Sequence, residues 1–372
     1  MQKITVRLET VTPLFLGGAE LRGEPELRPA SFRGAMRYWL RALLGGKLGD
    51  SKEALREIKE IEGSVFGIAG DEDNNGASSL ILRIGNHDLG DIEKFKREGR
   101  GRNPTGADYL YWSMDATKQD NKPVPARKYI PSGSSFDLVL NTRPRIVNSE
   151  TVLKYATASL WLLTHLGGIG ARSHHLAGNL AVKSPTTLHG LNFKIEIGPH
   201  AQVAEQISNI ISSIRNSTVL NETGVSQDES EFDILYPKLC RVWLLGIWPN
   251  SDSAVKAVGE RYHEFRTNRP ESYDAPNWLW ERSAFGLPIQ GITGVERRTS
   301  PLWLSLVPAG DEGRCAVLAT LFKSRLLEKE VKLNIETTHR ERIRDTEPPK
   351  DYSLIERWLD EKFTKKVEVN YA

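Results

Sequence analysis

Apolar positions in the first two hundred residues follow two rhythms in turn. Ile4-Thr-Val-Arg-Leu-Glu-Thr10 alternates at period two and predicts a strand. Phe32, Met36, Trp39, Leu40, Leu43 and Leu44 then recur at helical spacing. They predict a helix entered at Pro29, with Ser31 as N-cap, running to about Leu44 before Gly45-Gly46. Lys52–Ile61 predicts a second, more polar helix, and Leu80–Ile84 and Ser135–Thr142 predict strands. Val152, Ala156, Leu160, Leu163 and Leu166 mark a long helix over Ser149–Leu166, closed by Gly167-Gly168 as a glycine C-cap. Asn192–Ile197 alternates again and predicts a strand. This order, strand, helix, strands, helix, strand, is that of the ferredoxin-like unit. Residues 85–134 interrupt it with turn-rich, polar sequence around an aromatic cluster, Tyr109-Leu-Tyr-Trp112.

The second half partly repeats the scheme. Helices are predicted at Gln206–Arg215, Asp252–Arg266 and Ser353–Phe363, with strands at Cys240–Ile247 and Ser300–Val307, and Cys315–Leu327 is apolar enough to enter a core. Asn216–Asp233 reads as a polar linker. No sequence repeat accompanies this repetition of elements. A length of 372 residues suits two domains, taken as 1–200, carrying the insertion at about 85–134, and 201–372. The fold class expected is α+β.

Charge sharpens the picture locally. Fifty Lys and Arg against 48 Asp and Glu leave a formal net charge of +2, so any nucleic-acid site has to be a patch. Arg33, Arg37 and Arg41 recur every four residues on one face of the first helix. Cations in the first turn oppose the helix dipole, and like charges four apart repel. A row of guanidiniums that accepts both penalties points to a repeating anion such as a phosphate backbone, or to local carboxylate partners. Trp39 and Tyr38 could stack a base or enter the core.

Gly167-Gly-Ile-Gly-Ala-Arg-Ser-His-His-Leu-Ala-Gly178 is a second candidate. Gly170 lets a backbone approach an anion, and Arg172, Ser173, His174 and His175 supply donors. The loop fits no dinucleotide fingerprint, because Ser173 stands where a third glycine belongs and a helix precedes it. Gly45-Gly-Lys47 fits no Walker A motif. Asp71, Asp73, Asn75 and Gly76 begin like an EF-hand, but Leu82 occupies the place of the bidentate Glu, so no calcium site is expected. A solvated acidic loop is the simpler account of residues 69–78. His174 and His175 could contact phosphate or move protons in RNA cleavage. A third segment, Phe285-Gly-Leu-Pro-Ile289 followed by Arg297-Arg-Thr-Ser-Pro-Leu302, brings Arg297 and Arg298 to a strand start. Cys240 and Cys315 read as buried free thiols, too few for structural zinc. No metal or cofactor is expected. No run approaches 18 apolar residues and no apolar leader block is visible, so no membrane partner is expected and the cytoplasm is the compartment expected.

Thr12-Pro-Leu-Phe-Leu-Gly-Gly18, Arg28-Pro-Ala-Ser-Phe-Arg-Gly-Ala-Met-Arg-Tyr-Trp-Leu-Arg-Ala42 and Val65-Phe-Gly67 together resemble the RAMP superfamily of CRISPR-Cas systems. The Phe285–Ile289 and Arg297–Leu302 segments narrow the resemblance to the subunit-one family of the type III-B Cmr complex. That resemblance implies two ferredoxin-like (RRM-like) domains packed around a basic cleft. It also implies a non-catalytic RNA-binding subunit, with guide RNA, target RNA and other Cmr subunits as partners, near the guide 3′ part. Arg28, Ser31, Arg33, Arg37, Arg41, Gly170, Arg172, Ser173, His174, His175, Arg297 and Arg298 are the RNA-binding residues expected. The alternatives are a metal-independent RNA endonuclease of the same superfamily using His174 or His175, and an assembly subunit with little RNA contact. The family tends to carry Arg-Arg-Gly-Phe-Gly where this chain has His174-His-Leu-Ala-Gly178, which puts phosphate approach at Leu176 in doubt. Two imidazoles in that place predict RNA binding that weakens above about pH 7 relative to about pH 5.5.

Overall fold

The computed structural model describes residues 2–68, 76–99, 104–119, 121–144, 146, 148–217, 225, 229–295, 297–310, 312–328, 330–337 and 341–372. Asp71, Asp73 and Asn75 of the acidic loop lie outside them.

Two four-stranded antiparallel sheets organise the chain. The first contains β1 (Lys3–Thr10), β2 (Leu80–Asp88), β3 (Ser135–Thr142) and β4 (Leu180–Ser184), in the spatial order β2-β3-β1-β4. Helices α1 (Pro29–Leu48) and α2 (Lys52–Phe66) connect β1 to β2, and α4 (Ser149–His165) leads to β4. The second contains β5 (Cys240–Trp248), β6 (Leu302–Pro308), β7 (Cys315–Phe322) and β8 (Val367–Glu368), ordered β6-β7-β5-β8. Counted from each sheet's first strand, the two orders are the same. Helix α5 (His200–Ser217) joins the halves. Helices α6 (Ser251–Thr267), α7 (Ala275–Arg282) and α8 (Ser353–Lys362) serve the second sheet. A small sheet of Ile292–Thr293, Leu333–Glu336 and Arg342–Thr346 stands beside α7.

Several boundaries differ from expectation, each for a packing reason. Helix α1 runs through Gly45-Gly46 to Leu48 and closes at Gly49, whose φ is +82°. The two glycines admit a neighbouring segment: a Cβ on Gly46 would lie 2.1 Å from the Leu235 carbonyl oxygen, and Leu235 N–H donates to Ala42. Gly167 and Gly168 do not form a left-handed cap. They also allow close approach, and a Cβ on Gly167 would meet the Trp39 indole nitrogen at 2.6 Å. The fourth strand of the first sheet is Leu180–Ser184; the predicted Asn192–Ile197 strand pairs only at Asn192, with Thr187, and at Ile195, which bridges Ala309. The insertion is tied down. Its short helix α3 (Gly106–Leu110) packs backbone to backbone on α6, since a Cβ on Gly106 would fall 2.0 Å from the Lys256 carbonyl oxygen.

The second sheet is covered on both faces. Val242, Leu244, Leu318 and Val307 join a core with α1, α4 and α5, whereas Trp243, Leu245, Val317 and Leu306 join another with α6 and α8. The near-continuous apolar runs of β6 and β7 follow from this two-sided burial. Cys240 and Cys315 are free and buried within it.

Candidate nucleic-acid interface

Pro29 opens α1 at N1 with Arg28 as N-cap residue, and no side chain caps it. Ser31 therefore stands inside the first turn and is not the N-cap. Phe32, Met36, Trp39, Leu40, Leu43 and Leu44 are all fully buried, as the spacing requires. Tyr38 too is turned inward, donating its hydroxyl to Asp233 Oδ2 at 2.7 Å and accepting from the Trp303 indole at 3.1 Å. Tyr38 and Trp39 are thus part of the packing.

The arginine face meets a carboxylate that its spacing does not announce. Glu62 of α2 has a side chain only 4% exposed. Arg37 donates Nε to its Oε1 at 2.7 Å, while Arg41 donates Nε to Oε2 at 3.0 Å and Nη2 to Oε1 at 3.1 Å. A buried carboxylate needs such partners, because an uncompensated one is strongly disfavoured. A signal was present: Glu62 lies on the stripe of Ala54, Ile58 and Val65 that α2 turns to the core. Arg33 remains without a hydrogen-bond partner at its buried Nε. Two guanidiniums thus share one carboxylate, and Arg33 lies a turn before them along α1. Arg28 donates Nη2 to the Gly17 carbonyl at 2.8 Å, near Glu26.

The glycine-rich loop is sewn into the structure. Gly170 (φ +90°) lies where a Cβ would meet the Phe15 carbonyl oxygen at 2.6 Å, and Ala171 N–H donates to that oxygen. Leu176 is completely buried. Across the loop, Leu304 N–H of β6 donates to the His174 carbonyl at 3.1 Å and Leu176 N–H donates to the Leu304 carbonyl at 3.2 Å. The His174 ring stacks on Trp303 with centroids 3.5 Å apart, 26° from parallel. Burial pushes its pKa down to about 3, and burial beside Arg172 pushes that of His175 well below the ordinary value. The His174 imidazole is therefore neutral from pH 5.5 upward and that of His175 is shifted the same way, which runs against the expected pH-dependent loop charge. Arg172 turns inward as well, donating Nε to the Leu110 carbonyl at 2.5 Å, and burial lowers its pKa to about 10. Ser173 is half-buried.

Arg297 is exposed with no partner among the described residues. Arg298 donates Nε to the Leu326 carbonyl at 2.6 Å, and its backbone pairs with Leu287 rather than starting β6. These two share a groove of about 400 Å³ with Arg41, bounded by Tyr38, Asp233 and Arg325. Its charge is mixed, since Asp233 also receives the Ser324 hydroxyl and Arg325 is held by Glu229 and Glu231. A smaller cavity of about 280 Å³ adjoins Arg298 and reaches His174 and Gly168. The structure thus gathers Arg41, Arg297 and Arg298. It points Arg172 and His175 toward α6, and leaves Arg28 and Ser31 at the far end of α1. Among the described residues, no group of three or more His, Cys, Asp or Glu could hold a metal ion.

Comparison with known proteins gives the lineage. Residues 7–174 match the model of the RAMP superfamily. The chain is 27% identical over 308 residues to CRISPR system Cmr subunit Cmr1-1 of Pyrococcus furiosus, covering 82% of each. It is 32% identical over 187 residues to Cmr1-2 of the same organism, 47% of this chain and 92% of that protein. The crystal structure of apo Cmr1 from Pyrococcus furiosus shares the fold at TM-score 0.61 and 22% identity, covering 100% of this chain and 99% of that one. A chain of a type III-B Cmr-beta complex bound to cognate target RNA and AMPPnP aligns at TM-score 0.55 and 15% identity, covering 97% and 98%. The chain with its arginine-faced first helix and glycine-rich loop belongs to the RAMP superfamily, and within it to the family of subunit one of the CRISPR Cmr system.

Proposed function

We propose that this chain is a non-catalytic RNA-binding subunit of a type III-B Cmr effector complex, contacting guide and target RNA near the guide 3′ part in the cytoplasm. In this reading residues 1–200 and 201–372 form two ferredoxin-like domains around a cleft. The shared strand order of the two sheets supports this, as do the element orders on either side of α5. One observation carries the RNA reading. The α1 face carries three guanidiniums, two of them on the carboxylate of Glu62 and Arg33 with a buried Nε that has no partner, beside a groove into which Arg297, without a partner among the described residues, opens. Arg33, Arg41 and Arg297 supply the phosphate contacts, with Arg28 at the helix entrance and Arg298 on the groove wall. The buried, neutral state of His174 and His175 argues against an acid–base pair and hence against the endonuclease alternative.

Replacing Arg33 and Arg297 with Glu in the assembled complex tests this. Weaker binding and lost RNA–protein crosslinks to these peptides are expected. A second reading, an assembly subunit with little RNA contact, draws on the Glu62 clamp, which gives Arg37 and Arg41 a structural task. Unchanged RNA affinity together with failed assembly in the double variant selects it.

A further inference from the structure

A large open groove of the C-terminal half lies away from the arginine-faced helix. A groove of about 930 Å³ runs between α7 and the small sheet of Ile292–Thr293, Leu333–Glu336 and Arg342–Thr346. That volume is at the upper end of the roughly 300–1,000 Å³ typical of small-ligand pockets, so a chain segment fits better than a metabolite. Four arginines line it, Arg269, Arg282, Arg342 and Arg344, against the single carboxylate of Glu336. Glu336 is engaged by Arg342 at 2.8 Å. Arg269 and Arg344 are exposed and have no partner among the described residues.

The inner end of the groove is more telling. Arg282 Nε is buried without a hydrogen-bond partner, and so is Arg266 Nε behind it. Among the described residues, Arg266 is held by the faces of Tyr262 and Phe285 and a long contact to the Tyr262 hydroxyl. Burial, and after it the charge of Arg266, weaken the hold of Arg282 on its proton. Buried guanidiniums without carboxylates are disfavoured unless an anion completes them. Arg342 and Arg344, two apart on one strand, stand on the same face about 6.6 Å apart at a rise of ~3.3 Å per residue. Leu279, Ile289 and Ile343 supply apolar wall between the cations. Guanidiniums for phosphates beside apolar surface for bases is the composition of a single-strand groove.

We propose that this groove is a second RNA-binding site, which takes the phosphodiester backbone of single-stranded RNA with Arg282 as its inner anchor and Arg269, Arg342 and Arg344 along its rim. It shares no lining residue with the groove of Arg41, Arg297 and Arg298.

The test uses the full chain with a labelled mixed-sequence single-stranded RNA, titrated at several salt concentrations. The variants are Arg269→Glu with Arg344→Glu, whose side chains are unpaired, and separately Arg282→Gln. Arg297→Glu reports on the other groove in parallel. The double variant is expected to bind about tenfold more weakly and to lower the salt slope by about 1.4, at ~0.7 per single-strand phosphate contact. Crosslinks from RNA to peptides spanning 275–293 and 333–346 are expected to disappear, with an unchanged thermal melt. Unaltered affinity, slope and crosslinks in a folded double variant overturn the proposal. So does a polyglutamate peptide that binds the parent chain and loses its binding in the double variant while RNA binding stays intact, because the groove is then a protein-docking site. A loss in Arg297→Glu alone supports the first groove and counts against this one.

Discussion

His174 lies flat against Trp303, two rings from opposite halves of the chain, with centroids 3.5 Å apart. Backbone hydrogen bonds from Leu304 to His174 and from Leu176 to Leu304 flank the stack. The glycine-rich loop therefore acts as a fastener between the sheets, and its histidines are packing residues.

Acid should weaken the fold through these rings. The folded pKa of His174 is about 3 against an ordinary value of 6.5, and that of His175 is also lowered. The unfolded chain thus binds more protons below pH 6.5. Stability present above pH 6.5 is lost as pH falls toward 3, by up to ~1.4 kcal/mol per pH unit for His174, and His175 adds a loss of the same sign. Urea melts between pH 7 and pH 4.5 read this, and His174→Phe should flatten the slope by about one histidine's share. RNA affinity at fixed salt should not change through these rings between pH 5.5 and 7.5. A loss of affinity across that window which vanishes in the variant contradicts the assignment.

The Glu62 clamp should be unequal. Arg37→Ala leaves a buried carboxylate with one partner and is expected to destabilise by about 1–3 kcal/mol. Arg41→Ala removes a side chain that is 49% exposed and should destabilise by about 1 kcal/mol or less. Equal losses in chemical denaturation argue against the geometry. In Glu62→Gln both arginines lose the charge they answer, and a double-mutant cycle with Arg37→Ala should give a coupling of the same sign.

Two glycines in α1 should respond oppositely to alanine. Gly34 has nothing within 4 Å of an added Cβ and is exposed, so Gly34→Ala should stabilise by about 0.5–1 kcal/mol. Gly46→Ala would drive a methyl to 2.1 Å from the Leu235 carbonyl oxygen and should destabilise by several times that amount. Thermal melts of the two single variants decide the matter.

Arg297→Glu should leave the melt unchanged, because the side chain is exposed and unpaired. RNA binding should weaken by about tenfold, with a salt slope reduced by ~0.7. A wild-type slope removes Arg297 from the interface.

The first half was legible where one pattern ruled a segment. β1 and the first part of β3 match their periodicity closely because each turns a single face to the core, and α4 stands out by its apolar length, buried on all sides from Ala156 to His165. β4 was hidden, since Leu180–Ser184 follows the loop with only three buried positions before two exposed ones. Gly45-Gly46 reads locally as a stop, and only the passing Leu235 segment, 190 residues on, explains why the helix continues. The arginine face was visible in the sequence, but its answer in Glu62 depends on how α2 folds back. The inward turn of Arg172, His174 and His175 depends on β6 and on Tyr111 and Tyr262, residues far away in the chain, which local spacing cannot reveal.

Because the second sheet is walled in on either side, part of its shelter is supplied by α1 and α4, which precede residue 200, and part by α5, which begins there. Severing the polypeptide there would strip α1 and α4 from one apolar plane of the C-terminal portion and leave only α5 of these three helices to cover it. That fragment should clump when produced by itself, and co-expression with its other portion should rescue it.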